Sequence, residues 1–361
     1  MSLTILGIGS AVPSRSILQS DAARLAATFA NAEPGRERTL EALYRQTRIR
    51  SRGSVLLEDS GDERYRQSFF PPAVGVAAGP STATRMRRYA DEAPALGVRA
   101  AAGGLAAAGV DAEAVTHVVT CSCTGFSSPG FDLAMVESLG LSPAVARTHV
   151  GFMGCHGAFN AMRVAAAFTA SDPDATVLVA CVELCSLHFQ YGTRADDIVA
   201  NSIFADGAGA FVGRAVCRDD GAWRLSAQTS CVLPGSAELM GWTIGDSGFE
   251  MTLSSRVPDR IAVTLPRLLD ELLARRRLSI ADVASWAVHP GGPRVLAGVR
   301  ESLGLGPESL ECSESVLAEH GNMSSATVLF ILERLIREGA ERPCVAMAFG
   351  PGLTAELALF E

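Results

Sequence analysis

Short apolar runs alternate with alanine- and leucine-rich stretches along most of this chain. The runs "VTHVVTCSCTG", "ATVLVACVELCSL" and "PCVAMAFGPG" are bounded by glycine or proline, whereas "GVRAAAGGLAAAG" and "LPRLLDELLARRRLS" have the spacing of helices. This alternation favours an α/β architecture with largely buried sheets. The 361 residues are enough for two lobes. We predict two halves, residues 1–214 and 215–361, divided where the charged segment "AVCRDDGAWR" interrupts the pattern.

The charge and the hydropathy pattern exclude several classes of protein. The net charge is −8 and no block is rich in Lys and Arg, so the basic surface that binds a nucleic-acid backbone is missing. No apolar run reaches the roughly 18 residues of a membrane span. The start, "MSLTILGIGS", lacks the basic and apolar regions of a secretory signal. We expect a cytoplasmic protein with no nucleic-acid partner and no membrane span.

The number and spacing of the cysteines argue against disulfides and against a metal site. There are nine cysteines, an odd number, and no export signal is visible, which favours a reduced compartment. Cys121 and Cys123 are one residue apart and no Cys-x-x-Cys pair occurs, so the spacing of a zinc site is absent. We expect most of these thiols to be small core residues and no metal to be bound.

The segment "GFMGCHGAFN" places Cys155 between a strand-like run and a helical one. The free N–H groups and the dipole at a helix start favour a thiolate, and can lower a cysteine pKa from about 8.5 to roughly 3.5–7.5. Gly154 and Gly157 allow the backbone to bend there. A buried structural thiol would fit the same position, so a nucleophile also requires a base or a cation beside it.

Two histidines stand at predicted turns. His289 ends the apolar run "SWAV" and enters "HPGG", and His320 precedes "GNMSSATVLF", in which Asn322 comes before a long apolar helix. An asparagine at such a turn can cap the helix or donate its amide N–H to a developing oxyanion. Taken singly, each of these features fits a structural role as well as a catalytic one.

Together and in this order, "GC", "HPGG" and "HGNMSSA" resemble the Cys-His-Asn triad of type III polyketide synthases, the chalcone-synthase-like branch of the thiolase superfamily. The segments "SIFADGAGA", "AFGPGLTAE" and "CSCTGFSSPGFD" are similar to three further motifs of that family. Ketoacyl carrier-protein synthases of type III have His-Gln-Ala-Asn where this chain has "HPGG". The resemblance implies a thiolase fold, with two similar αβαβα halves and buried mixed sheets. The first half would carry the cysteine, and the second the histidine and the asparagine.

The resemblance also implies a mechanism. Cys155 would accept an acyl group from a starter coenzyme A thioester, and His289 would hold it as a thiolate–imidazolium pair. Asn322 with His289 would bind the enolate formed when malonyl-CoA loses carbon dioxide, and the enolate would lengthen the acyl chain. No cofactor is needed, because the coenzyme A thioesters are substrates, and the family is homodimeric. His156 is not where the family keeps a base and should pack locally.

Other positions match the residues that shape the family's substrate cavity. Phe204 matches a gating phenylalanine, and Met251 stands at the second gate, which is usually phenylalanine. A flexible methionine there would admit a longer or bulkier acyl chain. If the register shifts, Phe249 takes this place instead. The remaining predicted cavity residues are Cys123, Thr124, His188 and Trp242.

Finer resemblances point to two kinds of product. "VELCSLHFQ" and "MGW" resemble bacterial alkylresorcinol and alkylpyrone synthases, which use fatty acyl starters, whereas Cys123 resembles a residue of tetrahydroxynaphthalene synthases, which use only malonyl-CoA. We predict an alkylpyrone or alkylresorcinol from a fatty acyl-CoA, with the malonyl-only reaction as the alternative. A catalytically silent scaffold and an acyltransferase that condenses once are further alternatives.

Coenzyme A recognition rests on a weaker match. The segment "YRQTRIRSRG" carries Arg45, Arg48 and Arg50 where the family has a basic helix end that contacts phosphates. Arg294, close after "HPGG", is a second candidate. A solvated run of surface charges would look the same.

Overall fold

The computed structural model describes residues 3–29, 36–59, 65–73, 79–192, 194–215 and 221–361. The strands are β1 (Leu3–Ala11), β2 (Ser16–Leu18), β3 (Ser51–Gly53), β4 (His117–Ser122), β5 (Ala146–Gly151), β6 (Thr176–Leu184), β7 (Asp206–Ala215), β8 (Trp223–Val232), β9 (Met240–Gly245), β10 (Gly248–Leu253), β11 (Ser285–Val288), β12 (Cys344–Gly350) and β13 (Thr354–Phe360). The helices are α1 (Gln19–Phe29), α2 (Arg36–Gln46), α3 (Thr82–Ala108), α4 (Phe131–Leu139), α5 (Gly157–Ser171), α6 (Ala195–Ile203), α7 (Val257–Ala274), α8 (Pro293–Leu303), α9 (Glu311–His320) and α10 (Thr327–Arg337). Half of the charged segment predicted to divide the halves, residues 216–220, lies outside the described residues.

Nine strands form one mixed sheet in the order β11-β12-β13-β8-β1-β7-β6-β4-β5. The pairs β4–β5, β4–β6 and β11–β12 are parallel, and the other neighbours are antiparallel. Strand β1 connects the two parts of the sheet. It pairs with β7 along its length, and Leu3–Ile5 also pair with Trp223–Leu225 of β8.

Helices α5 and α10 lie between the two parts of the sheet. One core cluster joins residues of both helices to the inward faces of β4, β6 and β7 and of β11, β12 and β13. Helices α3 and α4 cover the opposite face of the first part, and α7 and α8 that of the second. The two halves together form one five-layer αβαβα stack, consistent with the thiolase fold that the resemblance implies. Every residue of β6 and of β12 is buried, which explains why these strands appear in the sequence as continuous apolar runs.

Two peripheral units lie beside these layers. The first comprises α1, α2 and the ribbon of β2 and β3, and packs through a small cluster of its own around Ala23 and Tyr44. The second is the β9–β10 hairpin, in which Trp242 pairs with Met251. Among the described residues, no helix combines the length and the apolar character needed to cross a bilayer.

Candidate active site

Cys155 lies in a 3-10 turn, Gly154–His156, between β5 and α5, as the sequence predicts. Gly154 has a φ of +76°, and a Cβ atom there would lie 2.3 Å from Cδ of Pro351. Only glycine satisfies both the backbone conformation and the close contact. A Cβ atom at Gly157 would lie 2.6 Å from Sγ of Cys121. The turn therefore fixes the position of Cys155, which is 8% exposed.

A second 3-10 turn, Ser324–Ala326, precedes α10 in the same way and brings Asn322 and Ser324 to Cys155. The backbone of Asn322 forms a parallel bridge with Phe204. Its side-chain Oδ1 accepts the Ser324 N–H at 2.8 Å. The Ser324 hydroxyl donates to Sγ of Cys155 at 3.6 Å. The Asn322 side chain is close enough to Cys155 to lower the pKa of its thiol.

The acidity of Cys155 differs from the expectation. Burial raises the pKa of the thiol to about 11, although the hydrogen bonds from Ser324 and Asn322 act in the opposite direction. The carboxylate of Glu183 contributes to the rise. The predicted lowering of this pKa is therefore wrong for the structure, because desolvation of the charged form exceeds the stabilisation that the helix start supplies.

His289 lies directly after β11, where its backbone N–H donates to the carbonyl of Met347 at 2.8 Å. The side chain is 1% exposed, and neither ring nitrogen has a hydrogen-bond partner in the structure. Burial, and secondly the electrostatic effect of His156, lower the pKa of His289 to about 3. The lowered pKa of His289 and the raised pKa of Cys155 favour a neutral imidazole and a neutral thiol over the predicted thiolate–imidazolium pair. Buried polar atoms normally have hydrogen-bond partners, so a polar group of a bound substrate can supply the partner that the His289 ring lacks.

Two other histidines stand outside this arrangement. His156 packs locally, as expected, with Nδ1 2.9 Å from the side-chain amide of Asn160 and its ring against Gly350. His320 ends α9, and its ring centroid lies 5.3 Å from that of Phe330. The electrostatic effect of His156 on the pKa of His289 indicates that the His289 ring lies near the turn that carries Cys155.

The sequence analysis missed a buried carboxylate beside the site. Glu183 is fully buried in β6 and accepts hydrogen bonds from the Ser325 hydroxyl, from the Thr124 hydroxyl at 2.7 Å and from the Cys123 N–H at 3.1 Å. Burial raises the pKa of Glu183 despite these bonds. A glutamate within an otherwise apolar strand is the signal that could have identified it, because a buried carboxyl group requires several partners. Glu183 holds the segment after β4 in place below Cys155.

A cavity of about 350 Å³ opens beside Cys155. Five of the six predicted cavity residues line it, namely Phe204, Met251, Cys123, Thr124 and Trp242. The sixth, His188, does not line it. Of the two candidates for the second gate, Met251 lines this cavity and Phe249 does not.

A larger chamber adjoins the first cavity, and the space between its walls, including the part open to solvent, is about 880 Å³. Phe204, Trp242, Met251 and Cys185 line both spaces, so the chamber begins on the far side of these residues. The rest of its wall is mostly apolar and includes a face of α1. His188 and Phe249 line this chamber.

Hydrogen bonds fix the partition between the two spaces. The Trp242 indole N–H donates to the carbonyl of Cys123 at 2.8 Å. Nε2 of His188 donates to the carbonyl of Thr124 at 2.7 Å, and Nδ1 accepts the Phe249 N–H at 3.0 Å, so the ring is neutral with its proton on Nε2. Burial lowers the pKa of His188 to about 3. The His188 ring stacks on Phe249 at a centroid distance of 4.1 Å.

The predicted coenzyme A residues lie on the surface. Arg45, Arg48 and Arg294 are exposed, and Arg50 pairs with Glu319 at 3.3 Å. None of them lines either cavity. The inward-facing arginine of the segment is Arg52, which was not predicted. It lines the chamber and donates to the carbonyls of Asn201 and Phe204 at 2.8 and 2.6 Å.

The cysteines and acidic residues show no metal-binding arrangement in the part of the chain that the structure describes. The eight described cysteines are free thiols. Across the same residues, no group of three or more His, Cys, Asp or Glu could hold a metal ion.

Matches to known protein families cover nearly the whole chain. Residues 2–215 match the N-terminal domain of chalcone and stilbene synthases, and residues 224–361 match the C-terminal domain. The alpha-pyrone synthesis polyketide synthase-like Pks18 of Mycobacterium tuberculosis is 32% identical over 99% of this chain and 90% of that protein. The 1,3,6,8-tetrahydroxynaphthalene synthase of Streptomyces peucetius is 36% identical over 73% of this chain and 72% of that protein.

Solved structures give the same result. The crystal structure of PKS-I from the brown alga Ectocarpus siliculosus has a TM-score of 0.92 and 29% identity, covering 100% of this chain and 98% of that one. The C-terminal type III polyketide synthase domain of Steely1 from Dictyostelium has a TM-score of 0.89 and 26% identity, covering 100% and 99%. With the five-layer fold and the paired helix starts that hold Cys155 and Asn322, these matches show that the chain belongs to the chalcone and stilbene synthase family and is a type III polyketide synthase, a condensing acyltransferase.

Proposed function

We propose that this enzyme loads a fatty acyl group from coenzyme A onto Cys155, extends it with malonyl-CoA and releases an alkylpyrone or an alkylresorcinol. The observation that carries this proposal is the mostly apolar chamber next to the small cavity at Cys155, with Phe204, Trp242, Met251 and Cys185 between the two. A mostly apolar space that adjoins the reacting sulfur is suited to a hydrocarbon tail. Relatives support the same reading, because Pks18 is described as an alpha-pyrone synthesis protein.

We assign different steps of the reaction to Cys155, His289 and Asn322. His289 is neutral, so one ring nitrogen accepts the proton of the Cys155 thiol while the sulfur attacks the starter thioester. The imidazole then returns that proton to the departing coenzyme A thiolate. When malonyl-CoA loses carbon dioxide, a negative charge develops on the thioester oxygen. Donors from the Asn322 amide and the His289 ring stabilise this charge, at about 3 kcal/mol for each well-placed donor.

The malonyl-only reaction is the second candidate, and the position of Cys123 favours it. Sγ of Cys123 lines the cavity and lies 3.2 Å from the Ser324 hydroxyl, next to Cys155. The tetrahydroxynaphthalene synthase of Streptomyces peucetius is also among the relatives. This reaction leaves the large chamber without a role, and for that reason we prefer the fatty acyl starter.

A homodimer in the cytoplasm is part of the proposal. Strand β5 ends the sheet and, among the described strands, pairs only with β4, so its free edge can pair with a second copy. Phe126 and Met153 lie near this edge and are 42% and 37% exposed, so they add apolar surface there. Sedimentation equilibrium should give twice the chain mass, and a single-chain mass would contradict the dimer.

Arg45, Arg48 and Arg294 remain our proposed contacts for the coenzyme A phosphates. They are exposed, as residues that meet a solvated phosphate should be. Replacing all three by glutamine should raise KM for malonyl-CoA and leave kcat nearly unchanged. An unchanged KM would remove this assignment.

The deciding experiment supplies malonyl-CoA with each acyl-CoA from acetyl to palmitoyl and identifies the products by mass spectrometry. We expect pyrones or resorcinols that retain a long alkyl chain. Cys155→Ala should abolish them while the circular dichroism spectrum stays unchanged, and Cys312→Ala, at a half-buried thiol outside both cavities, is the matched control. Products derived from malonyl-CoA alone would favour the second candidate, and the absence of carbon dioxide release would indicate a silent scaffold. A single condensation with each starter would indicate a simple acyltransferase.

A further inference from the structure

Helix α1 forms part of the chamber wall that is remote from Cys155. It presents Ala22, Leu25, Ala26 and Phe29 to the chamber, at the spacing of one helical face. None of the four lines the cavity at Cys155. Seven residues at about 1.5 Å each give this face a length of about 10 Å. The face is therefore long enough to lie along several methylene groups of an acyl tail.

Two of these four residues are alanines and the other two are larger, so the chamber is wider beside the alanines. Ala22 and Ala26 are one helical turn apart, and both line the chamber with side chains of a single carbon. Leu25 and Phe29, also one turn apart, form the neighbouring row of the same face. Any side chain larger than alanine at the two alanine positions would occupy space that now belongs to the chamber.

Phe29 is held rigidly. Its ring centroid lies 5.2 Å from that of Phe189, 5.4 Å from that of Tyr191 and 6.0 Å from that of Phe70. A ring packed on several sides cannot turn aside without disturbing its neighbours. Phe29 therefore forms a fixed boundary of the chamber.

A buried arginine secures this aromatic group. The guanidinium carbon of Arg85 lies 5.1 Å from the Phe70 ring centroid. Nη1 of Arg85 donates to the carbonyls of Leu187 and Phe189, both at 2.9 Å. These bonds fix the backbone that carries Phe189, so the rings around Phe29 hold their positions.

From these contacts we propose that α1 sets the length of the starter that the enzyme accepts. Ala22 and Ala26 provide room for the acyl tail, and Phe29 ends that room. The inference rests on the proposed fatty acyl starter and adds the residues that select among such starters. Each methylene buried in the chamber should raise kcat/KM by about fourfold. Once the tail meets Phe29, a further methylene should lower kcat/KM instead.

The test compares kcat/KM for a series of acyl-CoA starters from hexanoyl to stearoyl, with malonyl-CoA as extender. Ala22→Leu and Ala26→Leu should each move the optimum to shorter starters and lower the palmitoyl-to-hexanoyl ratio at least tenfold. Phe29→Leu, which keeps an apolar side chain in the aromatic group, should move the optimum to longer starters. Ala27→Leu makes the same exchange at a half-buried position of α1 that lines neither cavity, and it should leave the optimum unchanged.

Two results would overturn the inference. One is an unchanged optimum in both folded alanine variants, and the other is an equal shift in Ala27→Leu. Failure of the proposed function looks different, because the unaltered enzyme would then make no long-chain product from any starter. Formation of product from hexanoyl-CoA by the Ala26→Leu enzyme verifies that the catalytic centre is intact.

Discussion

Gly154→Ala tests whether the backbone at Gly154 holds Cys155 in place. A φ of +76° costs an alanine about 1–2 kcal/mol. The added Cβ would lie 2.3 Å from Cδ and 2.8 Å from Cγ of Pro351, below the 3.0 Å that real Cβ contacts respect. Relieving this overlap costs about 1–3 kcal/mol more. The free energy of unfolding should therefore fall by about 2–5 kcal/mol in total.

The same substitution should also reduce turnover. Cys155 is the next residue, so a shift of the turn moves Sγ away from Ser324 and Asn322. A displacement of about 1 Å at a reacting group can cost about a hundredfold in rate. Pyrone formation measures the turnover, and the rate of Cys155 alkylation reports the access to the sulfur.

Gly140→Ala is the matched control. Its φ is +70°, and no atom lies within 4 Å of the added Cβ, so only the conformational cost of about 1–2 kcal/mol applies. Urea unfolding measures both losses, provided that the slope m is unchanged. Equal losses of stability in the two variants, or a Gly154→Ala enzyme with normal turnover, would refute the reasoning.

Three other predictions concern the site. Met251→Phe should narrow the starter range towards short acyl chains, because a rigid ring replaces a flexible side chain at the partition, and an unchanged palmitoyl-to-hexanoyl ratio of kcat/KM would contradict this. Asn322→Ala should slow release of carbon dioxide from malonyl-CoA by about 10²–10³-fold. Mass spectrometry of the intact protein should show that acyl loading of Cys155 persists. Equal losses in decarboxylation and in loading would contradict the role of Asn322 in binding the enolate. Because the pKa of His188 is about 3 when folded and about 6.5 when unfolded, the unfolded chain binds the proton first as pH falls, and the stability contributed by the neutral ring is lost from pH 6.5 towards 3. This loss amounts to at most about 5 kcal/mol. In His188→Gln the free energy of unfolding, measured with urea, should therefore depend less on pH in that range. An equal pH dependence in the two proteins would contradict the prediction.

The parts of the fold that could be predicted from the sequence are those set by local pattern. Strands buried on both faces, such as β6 and β12, must be apolar throughout, and the sequence shows this directly. The turn at Cys155 could also be predicted, because glycines at 154 and 157 mark a bend, and Gly154 indeed has a φ of +76°. The order of the motifs indicated the family, and the family implied the five layers.

The properties that could not be predicted depend on groups far apart in the chain. The pKa of Cys155 is set by its burial and by Ser324, Glu183 and Asn322, which the fold brings together from two other segments. Phe249 and Met251 are two residues apart in β10 and so point to the same side of the strand, which is why periodicity could not choose between them. In the structure Met251 pairs with Trp242 and lines the cavity at Cys155, whereas Phe249 lines only the chamber.

The enclosure of α5 and α10 has a consequence for how such enzymes diversify. Both helices sit at the centre of the molecule, so the groups at their starts cannot be moved without repacking everything around them. Much of the chamber wall, by contrast, comes from the two peripheral units, namely α1, α2 and the β2–β3 ribbon, and the β9–β10 hairpin. The proposed condensing residues and the residues proposed to select the starter therefore lie largely in different segments of the chain. A family member could therefore acquire a new product by changing its periphery alone.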